Sequence, residues 1–442
     1  MPAVSEVTVG IDIGTSSVKA LAADGDGRVV ARARVPHAFR VPTPLRFEHD
    51  AAAWCDGPVA ALEQVGAARP RGVCVAAMVP SLTAVDAAGR PCTPGLLYGD
   101  ERGDTGSAGS PAESGELAAF LRWTARERPD AHGYWMAQAV ANHALSGRAV
   151  ISTTVAATAY PLFDWSAWDP QRVEACGARV GQLPDIEASG RPVAQVRGHE
   201  GCVLEAGTID AFGEQLVAGA DEPGDVLVIL GTTLIVWAVV PEAVEADGYF
   251  CVPHTAPGGR WLFGGPSNAG GLFVDWARRL LGDAAGAPVT DAARVPVWVP
   301  YPRGERVPLH DRGRRAQLLD LDLTHGPAAA LRAAYEASAF VVRRTIEACP
   351  APARRIVVSG GGTQVPGWVQ AIADVTGLPV LPCAVPEGAA LGAAFLARMA
   401  AGLETSMQDA ARWARHDREV TPRPDWAAAA DERYARFAAA AG

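Results

Sequence analysis

At 442 residues the chain is too long for one ordinary hydrophobic core, and two domains of about 200 residues each are the natural division. With 49% hydrophobic and 20% charged residues it carries enough apolar surface to offset chain entropy, which excludes long disorder. A formal charge of −10 and only short arginine runs, such as Arg312-Gly-Arg-Arg315, exclude a nucleic-acid surface, which needs clustered cations. The eight cysteines lack any Cys-x-x-Cys spacing, so neither a zinc site nor a disulfide framework is expected. Residues 7–13 follow no basic leader and are interrupted by Asp12. This argues against a signal peptide or membrane span and for a cytoplasmic address.

Residues 7–13 and 18–23 read as strands joined by a Gly-Thr-Ser-Ser turn, and Asp24-Gly-Asp-Gly27 turns the chain into a third strand at 28–35. That is an antiparallel meander, not a βαβ start. Asp50 reads as the N-cap of a helix carrying Trp54, Val59, Leu62 and Val65, followed by a buried strand at 72–78. Residues 103–115, rich in Gly, Ser and Pro, read as a surface loop, and helices at 116–127 and 134–145 follow. A second cycle opens near Asp221, where an apolar strand from Asp225 meets Gly231-Thr-Thr233 and returns as another apolar strand to Val239. This repeats the layout of residues 7–23, so the chain reads as a duplicated β-rich unit. A helix at 327–349 precedes a buried strand at 355–359, the triplet Gly360-Gly-Gly362, a helix at 368–376, a strand at 379–382 and a helix at 387–401. Domains of 1–220 and 221–442 are expected, with the tail beyond about residue 403 adding a helix over the other domain.

The turn Asp12-Ile-Gly-Thr-Ser-Ser17 places a carboxylate at a strand end, followed by backbone N–H groups and hydroxyls with no bulky side chain between them. Such a hairpin can wrap polyphosphate oxygens while the carboxylate holds hydrated Mg2+, although the same residues suit an ordinary turn. It is not a Walker P-loop, because the G-x-x-x-x-G-K-[ST] pattern is missing and a strand follows. Gly231-Thr-Thr233 is a second turn of this kind, and two facing turns would grip the β- and γ-phosphates. Ser359-Gly-Gly-Gly-Thr363 offers a backbone without Cβ atoms, across which an adenine or ribose can lie closely. Each is weak alone; three in this order, at domain-sized intervals, are much stronger.

On these motifs the sequence resembles the FGGY family of carbohydrate kinases, within the sugar kinase, Hsp70 and actin superfamily, over nearly its whole length. Residues 9–19 resemble the family's first phosphate motif, Gly231-Thr-Thr233 its second, and residues 356–362 with Trp368 its adenosine motif. Pro386-Glu-Gly-Ala-Ala-Leu-Gly-Ala-Ala394 and Tyr301-Pro-Arg-Gly-Glu-Arg306 resemble two further signatures. The resemblance implies an α/β fold of two ribonuclease-H-like (actin-like ATPase) domains around a central cleft, with the sugar held mainly by the first and ATP with Mg2+ by the second. It implies transfer of the γ-phosphoryl of ATP to a hydroxyl of a small sugar or polyol, a xylulose-like pentulose foremost, with hinge closure aligning the reactants. Asp210 would be the catalytic base, a position that also suits a cap for the helix starting at Ala211. Asp12 would hold Mg2+ through water, Thr15 and Ser16 would approach the transferred group, Gly14 of the same turn would bind the nucleotide, and Lys19, the sole lysine, would add charge from the strand beyond. Gly231, Thr232 and Thr233 would take phosphates, and Gly360, Gly361, Gly362 and Thr363 the nucleoside.

For the acceptor, Met78-Val-Pro-Ser81 and Leu97-Tyr-Gly-Asp-Glu-Arg102 resemble the family's sugar-contacting strand pair. Met78, Ser81, Asp100 and Arg102 are the candidate contacts, with a structural pair between Asp100 and Arg102 as the alternative. Xylulokinase-like members usually read Met-His-Gly and Trp-Asn-Asp-x-Arg here, whereas this chain has Val79-Pro80 and Tyr98, and Ala211 stands where many members carry Asn or Gln. Such departures count against D-xylulose itself, because polyol recognition matches buried donors and acceptors one by one. Residues 264–271 resemble the family's Ser-Asn-Gly-Gly loop, with a nucleotide contact and a packing turn both open. Trp54, Trp123, Trp135, Trp165 and Trp168 read as packing residues. The expected partner is a small sugar or polyol, with no nucleic acid or membrane; a homodimer is the assembly considered. A non-catalytic sugar or nucleotide sensor keeping the kinase fold is the alternative function. An Hsp70-type chaperone ATPase would need a β-rich peptide-binding extension.

Overall fold

Strand Thr8–Ile13 is buried along its whole length because it is paired on both sides. In the computed structural model, which describes residues 6–67, 69–103, 115–254, 258–282, 289 and 291–442, it runs antiparallel to Ser17–Ala23 and parallel to Gly72–Ala77. The resulting seven-stranded sheet has the order Pro192–Gln195, Val203–Glu205, Gly72–Ala77, Thr8–Ile13, Ser17–Ala23, Val29–Pro36, with Thr208–Ile209 also paired to Gly72–Ala77. Its far edge, Val29–Pro36, alternates half-buried and exposed residues, as an edge strand with one wet face should. Helix Ala52–Val65 takes Ala51 as its N-cap rather than the expected Asp50, whose Oδ1 still accepts the Ala52 N–H at 3.2 Å. The expected helix at 134–145 starts later. Gly133–Trp135 is a strand paired with Ser81–Val85, as its aromatic pair favours, and the helix is Ala137–Ser146. The expected loop at 103–115 lies mostly outside the described residues.

The chain forms two units, Met1–Val217 with Ala389–Trp413, and Ala218–Gly388 with Ala414–Gly442. This differs from a single division at residue 220, and the reason is steric fit. On the first sheet, a Cβ on Gly10 would lie 1.7 Å from the Ala390 carbonyl oxygen, and one on Gly72 would lie 2.6 Å from that of Ala397. Backbone therefore meets backbone where helix Gly388–Ala400 crosses these strands, and the Thr8 hydroxyl donates to the Ala394 carbonyl at 2.8 Å.

The second unit holds a six-stranded sheet in the order Phe250–Pro253, Trp261–Ser267, Leu234–Val240, Asp225–Leu230, Arg355–Ser359, Val380–Pro382. As in the first sheet, an antiparallel pair with a tight turn borders a parallel strand, the duplication expected from the two apolar hairpins. Helix Pro327–Ala348 is buried over most of its length. Its Glu336 lies between Arg332 and Arg433, while Asp374 receives Arg332 and Arg423. These ion pairs, with Trp426 and Phe437 in the same core, hold helix Pro424–Ala441 to the second unit, whereas the part of the tail up to Trp413 belongs to the first, where the Trp413 indole donates to the Gly25 carbonyl at 3.2 Å. All eight cysteines are free, and among the described residues no helix is long and apolar enough to cross a membrane.

Candidate functional site

In the first unit the parallel strands bring two distant carboxylates to one sheet edge. Asp12 and Thr208 both stand opposite Ala76 on its two sides, so their Cα atoms are about 10 Å apart at ordinary strand spacing. Asp210 follows directly and opens helix Asp210–Ala218, its Oδ1 accepting the Ala211 N–H at 2.7 Å. Met78, buried, leaves the same edge at the end of Gly72–Ala77. Asp12 is 7% exposed. Burial raises its pKa to about 6, opposed by Lys19 and assisted by the negative charge of Asp210. Its Oδ2 lies 3.9 Å from the Lys19 Nζ, while Oδ1 is buried without a hydrogen-bond partner.

That orphaned oxygen fits a hard cation. Among the described residues no cluster of three or more His, Cys, Asp or Glu gathers to cage a metal. A cation at Asp12 would thus take one protein carboxylate and fill its other positions from phosphate and water, the coordination that Mg2+ prefers. In the adjoining turn the Gly14 N–H donates to the Ser17 carbonyl at 3.1 Å, Thr15 is half-buried and Ser16 is exposed.

The candidate sugar contacts Ser81, Asp100 and Arg102 belong to a second, five-stranded sheet and its loop. The strand order is Phe39–Arg40, Glu48–His49, Gly95–Leu97, Ser81–Val85, Gly133–Trp135. Ser81 is buried, its Oγ accepting the Ala137 N–H at 3.2 Å. Asp100 is buried and grips Arg102 through both oxygens, each at 2.7 Å, and it also accepts the Phe47 N–H at 2.6 Å. Arg102 extends to Glu48 at 2.9 Å and lies 4.9 Å over the Trp123 ring. The mutual pair considered from sequence is thus formed. Of the five tryptophans read as packing residues, Trp165 lies outside the core: it is 68% exposed, its ring 6.3 Å from that of Tyr160.

In the second unit three glycine-rich segments converge. Ser359 pairs in register with Ile229, so Gly360 lands beside the Gly231-Thr-Thr233 turn. Its φ is +86°, and a Cβ there would lie 2.9 Å from the Leu230 carbonyl oxygen. Helix Gly271–Leu281 starts on the same turn, with the Gly271 N–H donating to Gly231 at 2.8 Å and the Leu272 N–H to Thr232 at 3.0 Å. Gly361 faces open space, whereas Gly362 closes against Leu230 and the Trp368 ring, and the Thr363 hydroxyl turns back to the Gly360 carbonyl at 2.9 Å. Thr232 is half-buried and Thr233 buried.

Residues 264–271 pack against this same turn. A Cβ on Gly270 would lie 2.2 Å from the Thr233 carbonyl carbon. Glu305 braces this loop, accepting the Ser267 hydroxyl at 2.7 Å and the Asn268 N–H at 3.0 Å, and burial lifts its pKa to about 7. Neither Glu305 nor His49, which touches the Thr15 carbonyl at 2.9 Å, was singled out from sequence. The Gly-Glu-Arg segment was a visible signal for the first; His49 had none beyond its place before the expected cap.

The N-terminal domain of the FGGY family of carbohydrate kinases matches residues 7–108, and its C-terminal domain matches residues 226–401. Xylulose kinase of Streptomyces coelicolor is 30% identical over 448 residues, covering 92% of this chain and 90% of that one. Xylulose kinase of Klebsiella pneumoniae is 26% identical, covering 89% of each. The crystal structure of gluconate kinase from Lactobacillus acidophilus matches with a TM-score of 0.82 at 20% identity, over 98% of this chain and 97% of that chain. The architecture is that of two ribonuclease-H-like α/β domains, and the chain belongs to the FGGY family of carbohydrate kinases.

Proposed function

We propose that this kinase moves the γ-phosphoryl group of ATP, bound with Mg2+, onto a hydroxyl of a xylulose-like pentulose in the cytoplasm. The observation that carries the reading is the convergence of Asp12 and Asp210 on one sheet edge, close enough for the charge of one to raise the pKa of the other. Asp210 serves as general base and takes the acceptor's proton. Asp12 supplies the protein oxygen for Mg2+, and Lys19 adds positive charge beside it. When bound, Mg2+ neutralises charge on the phosphates, so the protein's own task is alignment and water exclusion. Gly14, Thr15 and Ser16 offer donors to the transferred group, Gly231, Thr232 and Thr233 receive phosphates, and Gly360 to Thr363 form the platform for the nucleoside. Met78 and Ser81 line the sugar side, and Asp100 with Arg102 braces it from behind. The relatives named as xylulose kinases support a pentulose acceptor. Val79, Pro80 and Ala211 point to a shifted preference within that class. Eight free thiols suit a reducing compartment.

An ADP-release assay over ketopentoses, pentitols, aldonates, glycerol and deoxy-sugars tests this reading, run with the wild type and Asp210→Asn. A pentulose should give the highest kcat/KM, and Asp210→Asn should lower kcat about 10²- to 10⁴-fold with nucleotide affinity unchanged. Nucleotide binding without transfer to any acceptor would return the sensor alternative, and undiminished turnover in Asp210→Asn would remove the base.

A further inference from the structure

His49 is 1% exposed, and both its ring nitrogens are engaged. The indole N–H of Trp54 donates to Nδ1 at 3.0 Å, so Nδ1 is the acceptor and the ring proton resides on Nε2. That proton is donated to the Thr15 carbonyl at 2.9 Å. Trp54 is fully buried on helix Ala52–Val65, its ring packed so closely on Gly95 that a Cβ there would lie 2.4 Å away. The His37 ring meets His49 edge-on at 4.5 Å, and the His37 backbone N–H donates to the Ser16 carbonyl at 3.0 Å. Burial, assisted by His37, keeps the His49 pKa down at about 4, so the ring remains neutral at physiological pH.

A peptide unit is planar and trans, so its C=O and N–H point in opposite directions. The Thr15 carbonyl and the Ser16 N–H share one such plane. Holding the carbonyl against His49 therefore aims the Ser16 N–H the other way, away from the buried ring, at a residue that is itself exposed. A rotation of this plane would present a carbonyl oxygen to a polyanion and withdraw a donor. We propose that His49 is a positioning residue for phosphoryl transfer, fixing the Thr15–Ser16 peptide plane so that the Ser16 N–H is offered to a phosphate oxygen. This rests on the reading of residues 14–16 as a phosphate turn.

The test compares His49→Leu, which keeps bulk without polar atoms, with His49→Gln, whose amide supplies both a donor and an acceptor. Steady-state constants are measured with the best acceptor, and affinity for a non-hydrolysable MgATP analogue by titration calorimetry. His49→Leu should lower kcat/KM for MgATP about 10- to 100-fold, as loss of one positioned donor does, with the sugar KM unchanged. His49→Gln should recover most of that loss. Trp54→Phe, which removes the N–H that sets the tautomer together with part of the ring, should also weaken MgATP use, and it decides the matter if His49→Leu does not fold. Wild-type constants in His49→Leu, or in Trp54→Phe where it must decide, would overturn the proposal. So would His49→Gln as impaired as His49→Leu, since packing alone would then explain the loss. Asp12→Asn separates the two levels. If it is impaired while His49→Leu is not, only the positioning role fails; if it too behaves as wild type, the phosphate-turn reading fails.

Discussion

Asp12 holds its proton more tightly in the folded protein than an aspartate does in an open chain, with a pKa moved from 3.8 to about 6. Folding therefore takes up a proton between those two values, and stability falls as pH rises through that window. The cost of burying the charged form is fully present above about pH 6 and has vanished below about 3.8, reaching about 3 kcal/mol at 1.36 kcal/mol per pKa unit. Asp12→Asn should accordingly melt higher than the wild type at pH 7.5 without ligand, by a margin that shrinks toward pH 4, while MgATP affinity drops at least about 10-fold. A lower melting temperature at pH 7.5 would mean that the Lys19 pairing outweighs desolvation. The carboxylate itself was legible in sequence, since an acid at the end of an apolar strand before Gly-Thr-Ser-Ser is conspicuous. His49 was not, because it sits on the two-residue strand Glu48–His49, too short for any periodicity to mark it.

Helix Gly388–Ala400 reaches the first sheet through positions with almost nothing between two backbones. Gly10→Ala would drive a methyl into the Ala390 carbonyl, 1.7 Å from the ideal Cβ, and neither strand nor helix can yield as a flexible side chain would. A loss of at least about 2 kcal/mol is expected in urea unfolding, whereas Gly181→Ala, with nothing within 4 Å, should stay close to wild type. Equal stability of the two variants would show that the helix is not seated as described. The two apolar hairpins were readable because each is a local event, a strand, a tight turn and a strand. Which strand lies beside them was not, since the parallel pairing of Thr8–Ile13 with Gly72–Ala77 joins residues about 64 positions apart with no local trace. Tyr134 and Trp135 show the same limit: the aromatic pair was taken into a helix because its partner, Ser81–Val85, is remote.

The chain crosses between its two units after Val217, after Gly388 and after Trp413. A division at residue 220 lies close to the first crossing. The later return has no linker-like composition; it is written only in the complementarity of glycine and alanine across distant segments. Residues 1–217 expressed alone should lack a cooperative unfolding transition, their sheet bare along Gly10 and Gly72. Appending residues 389–413 through a short linker should restore one, and Gly213 against Ala389 keeps the ends near enough for it. A cooperative 1–217 fragment would contradict this.

The same connectivity has a consequence on the ribosome. The first unit's sheet waits for a helix that is made only after residues 218–388, roughly 10–30 s later at elongation rates of about 5–20 residues per second. During that interval its glycine-lined face is open to whatever it meets in the cell. Nascent-chain profiling should therefore find holdase chaperones on this protein until the last tenth of the message is translated.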